Sequence, residues 1–206
     1  SPIASDAVEY LLNKIQKTKC DAIVFSDFRH GIFNKGTIKS FIKKISKKTI
    51  KIADSQVASR WGNITDYKNF NLITPNEKEC RFSLADQDSS ISELTRQLSK
   101  KKKIKNLILK LGARGTFVVS KNLKKTGGGF TISSFVENLA DPVGAGDALL
   151  SYATMGLLKS NSIVVAGILG SLAASCECEI DGNKPIKKEL ILNKINELQK
   201  QIKISE

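Results

Sequence analysis

The sequence is poor in the residues that build metal and redox centres. It has one histidine and four cysteines in 206 residues. The cysteines stand at positions 20, 80, 176 and 178, a spacing that matches no zinc motif. We therefore expect free thiols in a reducing cytoplasm, and a redox pair of Cys176 and Cys178 is the alternative.

Long apolar runs are also absent. No stretch approaches the roughly 18 consecutive apolar residues of a membrane-spanning helix. Residues 1–15 lack the basic segment and apolar core of a signal peptide. The sequence therefore predicts a cytoplasmic location and no membrane partner.

Acidic residues are outnumbered, since 33 Lys and Arg against 20 Asp and Glu give a formal net charge of +13. Such a charge is typical of nucleic-acid-binding proteins, but only 6% of the residues are aromatic. The lysines are spread over predicted helices, and no helix-turn-helix or RNA-binding signature occurs. We expect no nucleic-acid partner, because a basic rim that attracts nucleotide and sugar phosphates explains the charge more simply.

Short apolar runs alternate with helical patterns, which is typical of an α/β fold. Strands are predicted at 22–25, 50–53, 71–74, 107–111, 116–119 and 130–135. Helices are predicted at 8–15, 38–45, 77–84, 91–98, 145–159, 161–177 and 187–202. No repeat, linker or boundary interrupts the pattern, so a single domain over residues 1–206 is expected.

The most informative segment is Asp-Pro-Val-Gly-Ala-Gly-Asp at residues 141–147, directly before an apolar helix pattern. Its small residues let the backbone approach a ligand, and the helix start directs free N–H groups at an anion. Asp147 in the first turn can accept a proton from an attacking hydroxyl. The segment predicts phosphoryl transfer to an alcohol, and the alternative is a loop that only starts a helix well.

Residues 141–147 resemble the second signature of the PfkB (ribokinase-like) carbohydrate kinases, Asp-Thr/Ser-x-Gly-Ala-Gly-Asp. The resemblance implies that Asp147 is the catalytic base. It also implies that the amides of Gly144, Ala145 and Gly146 form the anion hole for the transferred phosphoryl group.

The same resemblance places Asp141 on the substrate side of the site. It implies a monovalent cation such as K⁺, held by backbone carbonyls at the positions of Asp141 and Val143. Pro142 departs from the commoner Thr or Ser, so a hydroxyl contact at this position is in doubt while the base is not.

The segment at residues 74–79, Thr-Pro-Asn-Glu-Lys-Glu, follows a predicted strand and opens a predicted helix. Asn76 and Glu79 are three residues apart and share a helix face. Their spacing allows a capping box. The segment also resembles the family's Asn-x-x-Glu motif, which implies that Asn76 and Glu79 help to place Mg²⁺ through water.

Residues 109–115 resemble the strand-turn-strand segment that lines the family's nucleotide site. Gly112 allows close backbone approach to a ligand, and Gly115 permits the turn into the next strand. Lys110 replaces the commoner small hydroxyl residue, and we assign it to a phosphate. The alternative is a simple hairpin.

Residues 26–31, Ser-Asp-Phe-Arg-His-Gly, resemble a segment of the family's heptose-phosphate kinase branch, the kinase domain of ADP-heptose synthase. The resemblance places Asp27 near the acceptor sugar. Gln56 stands where that branch has a basic residue, so the same acceptor does not follow.

Taken together, the resemblance implies a ribokinase-like three-layer α/β/α core with a mostly parallel sheet, in which the family's N-terminal strands and lid are missing. It implies an ATP- and Mg²⁺-dependent transferase that phosphorylates a sugar or sugar phosphate, with a heptose-phosphate-like acceptor favoured. The fragment alone is expected to turn over inefficiently, because the lid excludes water. A non-catalytic nucleotide- or sugar-phosphate-binding remnant is the alternative, and a homodimer stays open.

Overall fold

A computed structural model describes residues 3–28, 30–55, 64–123, 128–182 and 184–201. Backbone contacts divide the chain into two compact units. The first unit comprises Ser1–Lys110 with Val119–Phe130, and the second comprises Leu111–Val118 with Thr131–Glu206. The expectation of a single domain stays a prediction.

The order of elements follows the alternation that the sequence predicts. The helices of the described residues are α1 (Ser5–Lys17), α2 (Lys35–Lys44), α3 (Glu77–Leu84), α4 (Ile91–Lys102), α5 (Ala145–Ser160), α6 (Ile163–Cys178) and α7 (Lys188–Gln201). The strands there are β1 (Ala22–Asp27), β2 (Ile50–Ser55), β3 (Leu72–Ile73), β4 (Asn106–Lys110), β5 (Thr116–Ser120) and β6 (Gly129–Ile132). Short 3₁₀ turns lie at Ile64–Asp66 and Gly112–Arg114. The α/β prediction is confirmed.

The strands form one sheet in the order β1-β2-β3-β4-β5-β6. The first four run parallel, and Phe25 of β1 lies opposite Ala53 of β2, which in turn lies opposite Ile73 of β3. The carboxyl ends of β1 to β4 therefore share one edge, where open α/β sheets bind their ligands. The mostly parallel sheet with flanking helices confirms the predicted architecture.

The core of the first unit combines buried strands with an aromatic group. The side chains of Ile52, Leu72 and Leu107 are fully buried in the sheet. Phe25 and Tyr67 pack edge to face against Phe70, with ring centroids 5.2 and 5.3 Å apart. Aromatic residues, which are scarce in this sequence, thus form one group in the core of the first unit.

Side chains cap several helix starts. Asn34 accepts hydrogen bonds from the backbone N–H groups of Gly36 and Thr37 at 2.9 and 3.0 Å, which fixes the start of α2. Ser90 accepts from the N–H of Glu93 at 3.2 Å at the start of α4. Such caps each contribute about 1 kcal/mol.

In the second unit, α5 and α6 approach closely because glycines lie at their contact. A Cβ atom added at Gly156 would stand 3.0 Å from the Cα of Ala166. One added at Gly170 would stand 2.9 Å from the carbonyl oxygen of Leu149. Larger side chains would force the two helices apart.

The four cysteines are free. Burial raises the pKa of the Cys80 thiol to about 12, and it also raises the pKa values of Cys176 and Cys178. Thiolates are therefore disfavoured at neutral pH, and this weakens the alternative of a Cys176–Cys178 redox pair. Within the described ranges, no helix combines the length and apolar character that crossing a bilayer requires.

Candidate active site

The Gly-Ala-Gly segment forms a tight turn into α5, within the second unit. Asp141 Oδ1 accepts the N–H of Val143 at 2.9 Å and so folds the entry to the turn. Gly144 has φ +89° and ψ −20°, a left-handed conformation that disfavours side chains, and α5 begins directly after it.

The first turn of α5 presents backbone donors beside a carboxylate. Among the described residues, no acceptor meets the N–H groups of Gly144 and Gly146, while the N–H of Ala145 makes only a long 3.4 Å contact to the carbonyl of Pro142. Asp147 is half-buried in the same turn. The unused N–H groups and the helix dipole suit an anion at this point.

The end of α6 anchors the entry to this turn. The carbonyl oxygen of Cys178 accepts the N–H groups of Ala140 and Asp141 at 2.8 and 3.1 Å. Next to it, Glu179 accepts a partly buried hydrogen bond from Lys194 at 2.9 Å. Burial lowers the pKa of Lys194, but this hydrogen bond and the nearby carboxylates outweigh it and hold the pKa above the ordinary lysine value. The ammonium therefore stays charged at neutral pH and keeps its contact with Glu179.

The two glycines of the predicted nucleotide segment differ in their surroundings. Gly112 has φ +62°, and a Cβ atom added there would meet nothing within 4 Å. Gly115 has φ +86° and ψ −131°, and an added Cβ would overlap the carbonyl oxygen of Ile132. Gly112 therefore leaves open space for a ligand, whereas packing alone already requires glycine at 115.

In the first unit, Asn76 and Glu79 form the capping box that the sequence allows. Asn76 Oδ1 accepts the N–H of Glu79 at 2.8 Å. The Glu79 carboxylate accepts the backbone N–H of Asn76 at 2.8 Å and its Nδ2 at 2.7 Å. Glu79 is buried, so these contacts fix both side chains. Carboxylate oxygens are hard ligands, and ligands of this kind suit Mg²⁺ bound through water.

A partly buried ion pair joins the ends of β2 and β4. Lys110 Nζ donates to Asp54 Oδ1 and Oδ2 at 2.9 and 3.1 Å. Thr74, which directly follows β3, donates its hydroxyl to Asp54 Oδ1 at 2.9 Å. The backbone supports the contact, because the N–H of Lys110 donates to the carbonyl of Pro75 at 2.9 Å. Sequence reasoning identified Lys110 as a candidate site residue but did not pair it with Asp54.

Asp27 ends β1 and is buried, and its Oδ2 accepts the hydroxyl of Tyr67 at 3.3 Å. Gln56 lies outside the described residues. In the described part of the chain, no three His, Cys, Asp or Glu side chains gather as a direct metal site. The roles predicted for Asp27, Asp141 and the other site residues stay predictions.

Comparison with solved structures identifies the fold. The chain is similar to phosphofructokinase-2 from Escherichia coli in complex with potassium, with a TM-score of 0.80 and 17% identity over 96% of this chain and 64% of that one. It is also similar to Arabidopsis thaliana ribokinase complexed with ribose and ATP, with a TM-score of 0.70 and 17% identity over 94% of this chain and 60% of that one. The fold is therefore ribokinase-like.

Sequence comparison adds the family. The model of the pfkB family of carbohydrate kinases matches residues 42–186, and the chain belongs to this family. A curated relative, the bifunctional protein HldE of Sulfurimonas denitrificans, is 26% identical over 181 residues. That match covers 84% of this chain and 35% of the relative, so the chain spans about a third of the relative's length.

Proposed function

We propose that the chain is an ATP-dependent kinase that transfers the γ-phosphate to a hydroxyl of a sugar or sugar phosphate. The observation that carries the proposal is the start of α5, where the N–H groups of Gly144 and Gly146 meet no acceptor among the described residues and lie in the same turn as Asp147. Membership of the pfkB family supports the reaction class.

Asp147 takes the proton of the acceptor hydroxyl as the new O–P bond forms and the bond to ADP breaks. The amides of Gly144, Ala145 and Gly146 stabilise the negative charge on the transferring phosphoryl group. Gly112 and Gly115 form the turn that lines the proposed nucleotide-binding site. The turn at residues 141–147 is the proposed anion hole.

Asn76 and Glu79 would hold Mg²⁺ through water, and the ion would neutralise charge on the phosphates. A K⁺ ion near Asp141 and Val143 is part of the proposal, and the potassium complex of the E. coli fold neighbour supports it. Asp27 and Asp141 are placed on the acceptor side.

The segments Ser26–Phe28 and Thr74–Glu77 favour a heptose-phosphate-like acceptor. The relative named HldE is consistent with this branch of the family. Fold neighbours that bind ribose and ATP support a sugar and a nucleotide as partners. The cytoplasmic location and the homodimer stay predictions.

ADP release tests the proposal. The chain is incubated with ATP, Mg²⁺ and a panel of sugars and sugar phosphates, and a non-hydrolysable ATP analogue is titrated by calorimetry. We expect acceptor-dependent ADP release, and we expect Gly146→Val to weaken the analogue about a hundredfold because its side chain fills the anion hole. Analogue binding with no turnover on any acceptor would favour the non-catalytic remnant. A cooperatively folded chain that binds no analogue would contradict the proposal.

Glu79→Gln separates the metal role from the capping role. Glutamine also suits this position of a capping box, so unfolding should become easier by only about 1 kcal/mol. If Glu79 holds Mg²⁺, loss of its charge should raise the Mg²⁺ concentration for half-maximal analogue binding about tenfold. Titration of Mg²⁺ at fixed analogue measures this shift. An unchanged midpoint would leave Glu79 as a cap only. Thr37→Val, which removes the hydroxyl of the capping box of α2, is the matched control.

A further inference from the structure

The Asp54–Lys110 pair joins three consecutive strand ends. Asp54 lies near the end of β2, Thr74 directly follows β3, and Lys110 ends β4. These strands are parallel, so the three side chains lie at the edge where ligands bind. The cluster belongs to the first unit and lies next to the capping box, because residues 76 and 110 form an isolated parallel bridge.

The two partners are not equally buried. The Asp54 side chain is 5% exposed and the Lys110 side chain 18%. Solvent therefore reaches the pair from the lysine side. An ammonium has three N–H donors, and two of them meet the two oxygens of Asp54. Among the described residues, no protein acceptor takes the third.

A purely structural explanation accounts poorly for the pair. Burying a charged group such as the Asp54 carboxylate is expensive, and apolar residues of similar size often stabilise such a position as well or better. Thr74 is fully buried and adds a second hydrogen bond to Asp54 Oδ1, which fixes the carboxylate and leaves the ammonium as the accessible partner. The arrangement suits a third partner that carries negative charge.

We propose that Lys110 binds a phosphate oxygen of the ligand through its third N–H, and that Asp54 is the counter-ion that positions the ammonium. This inference rests on the proposed kinase function. Asp54 acts only through Lys110 and is a positioning residue. Because its carboxylate lies just behind the ammonium, it also repels the phosphate and keeps the affinity for the phosphate moderate. The phosphate belongs to the nucleotide or to a sugar phosphate, and the test separates the two.

Calorimetry of the full chain measures affinity for two pairs of ligands. The first pair compares a non-hydrolysable ATP analogue, measured in the presence of Mg²⁺, with adenosine. The second pair compares fructose 6-phosphate with fructose. The main variant carries Lys110→Met together with Asp54→Asn, so that no carboxylate is left buried without its counter-ion. Arg96→Met together with Glu93→Gln is the control, because it removes an exposed ion pair within α4 and changes no residue of the cluster.

The double variant should weaken one phosphate-bearing ligand at least about tenfold and leave its unphosphorylated partner within about twofold. Loss with the ATP analogue identifies a nucleotide phosphate, and loss with fructose 6-phosphate identifies an acceptor phosphate. Asp54→Asn alone keeps one oxygen that accepts from the Lys110 ammonium and removes the charge of the carboxylate. It should therefore tighten the same ligand about threefold or more. The Arg96→Met and Glu93→Gln control should leave all four affinities within about twofold of wild type.

Equal affinities for the wild-type chain and the double variant would overturn the inference and leave the proposed function standing. The inference would also be overturned if the double variant lost as much affinity for adenosine or fructose as for the phosphate-bearing ligand. If the folded wild-type chain binds no phosphate-bearing ligand, the proposed function fails and the inference fails with it.

Discussion

Asp147→Asn is expected to lower the rate of acceptor phosphorylation about a thousandfold, because asparagine cannot take the proton of the attacking hydroxyl. The change keeps the size of the side chain and leaves the N–H groups of Gly144 and Gly146 in place. Affinity for the ATP analogue should therefore stay within about tenfold of wild type. ADP release with the best acceptor gives the rate, and calorimetry gives the affinity.

Asp6→Asn is the matched control, since Asp6 lies in the first turn of α1 and has no glycine turn before it. It should leave the rate unchanged, which separates base catalysis from a general effect of a carboxylate on a helix start. Substantial turnover by Asp147→Asn would refute the assignment of the base. A loss of analogue affinity that matches the loss of rate would instead assign Asp147 to binding.

Local patterns in the sequence predict most of the elements. The strand predicted at 107–111 is observed at Asn106–Lys110, and the helix predicted at 145–159 is observed at Ala145–Ser160. Both segments have unambiguous apolar periodicity and turn residues at their ends. The strand predicted at 130–135 ends earlier, at Ile132. Its backbone there packs against Gly115, a contact that no local pattern encodes.

The candidate site also contains parts that local patterns predict and parts that they do not. The turn at 141–147 and the capping box at 76–79 are local, so residue spacing predicts both geometries. The contact of Lys110 with Asp54 joins residues 56 positions apart, and only the register of the parallel strands brings them together. The sequence places Lys110 in the predicted nucleotide segment, but no local pattern pairs it with Asp54.

Gly115→Ala is expected to destabilise the second unit by about 4 kcal/mol, because two costs add. At φ +86° and ψ −131° the backbone is in a region that alanine strongly disfavours. The new Cβ would also stand 2.7 Å from the backbone at Ser133 and Ser134 and overlap the carbonyl oxygen of Ile132. These are backbone atoms, so no side chain can turn away to make room. Urea unfolding monitored by circular dichroism measures the loss.

Two glycines serve as controls because they share the positive φ but lack the overlap. Gly182 has φ +76° and nothing within 4 Å of an added Cβ, so Gly182→Ala should cost only about 1 kcal/mol. Gly112→Ala should cost a similar amount, but in the proposed nucleotide segment it should also weaken the ATP analogue. If Gly115→Ala cost no more than Gly182→Ala, packing against residues 132–134 would not be what requires glycine at 115. Close approach of the nucleotide would then be the remaining reason, and the loss should appear in the affinity for the analogue instead.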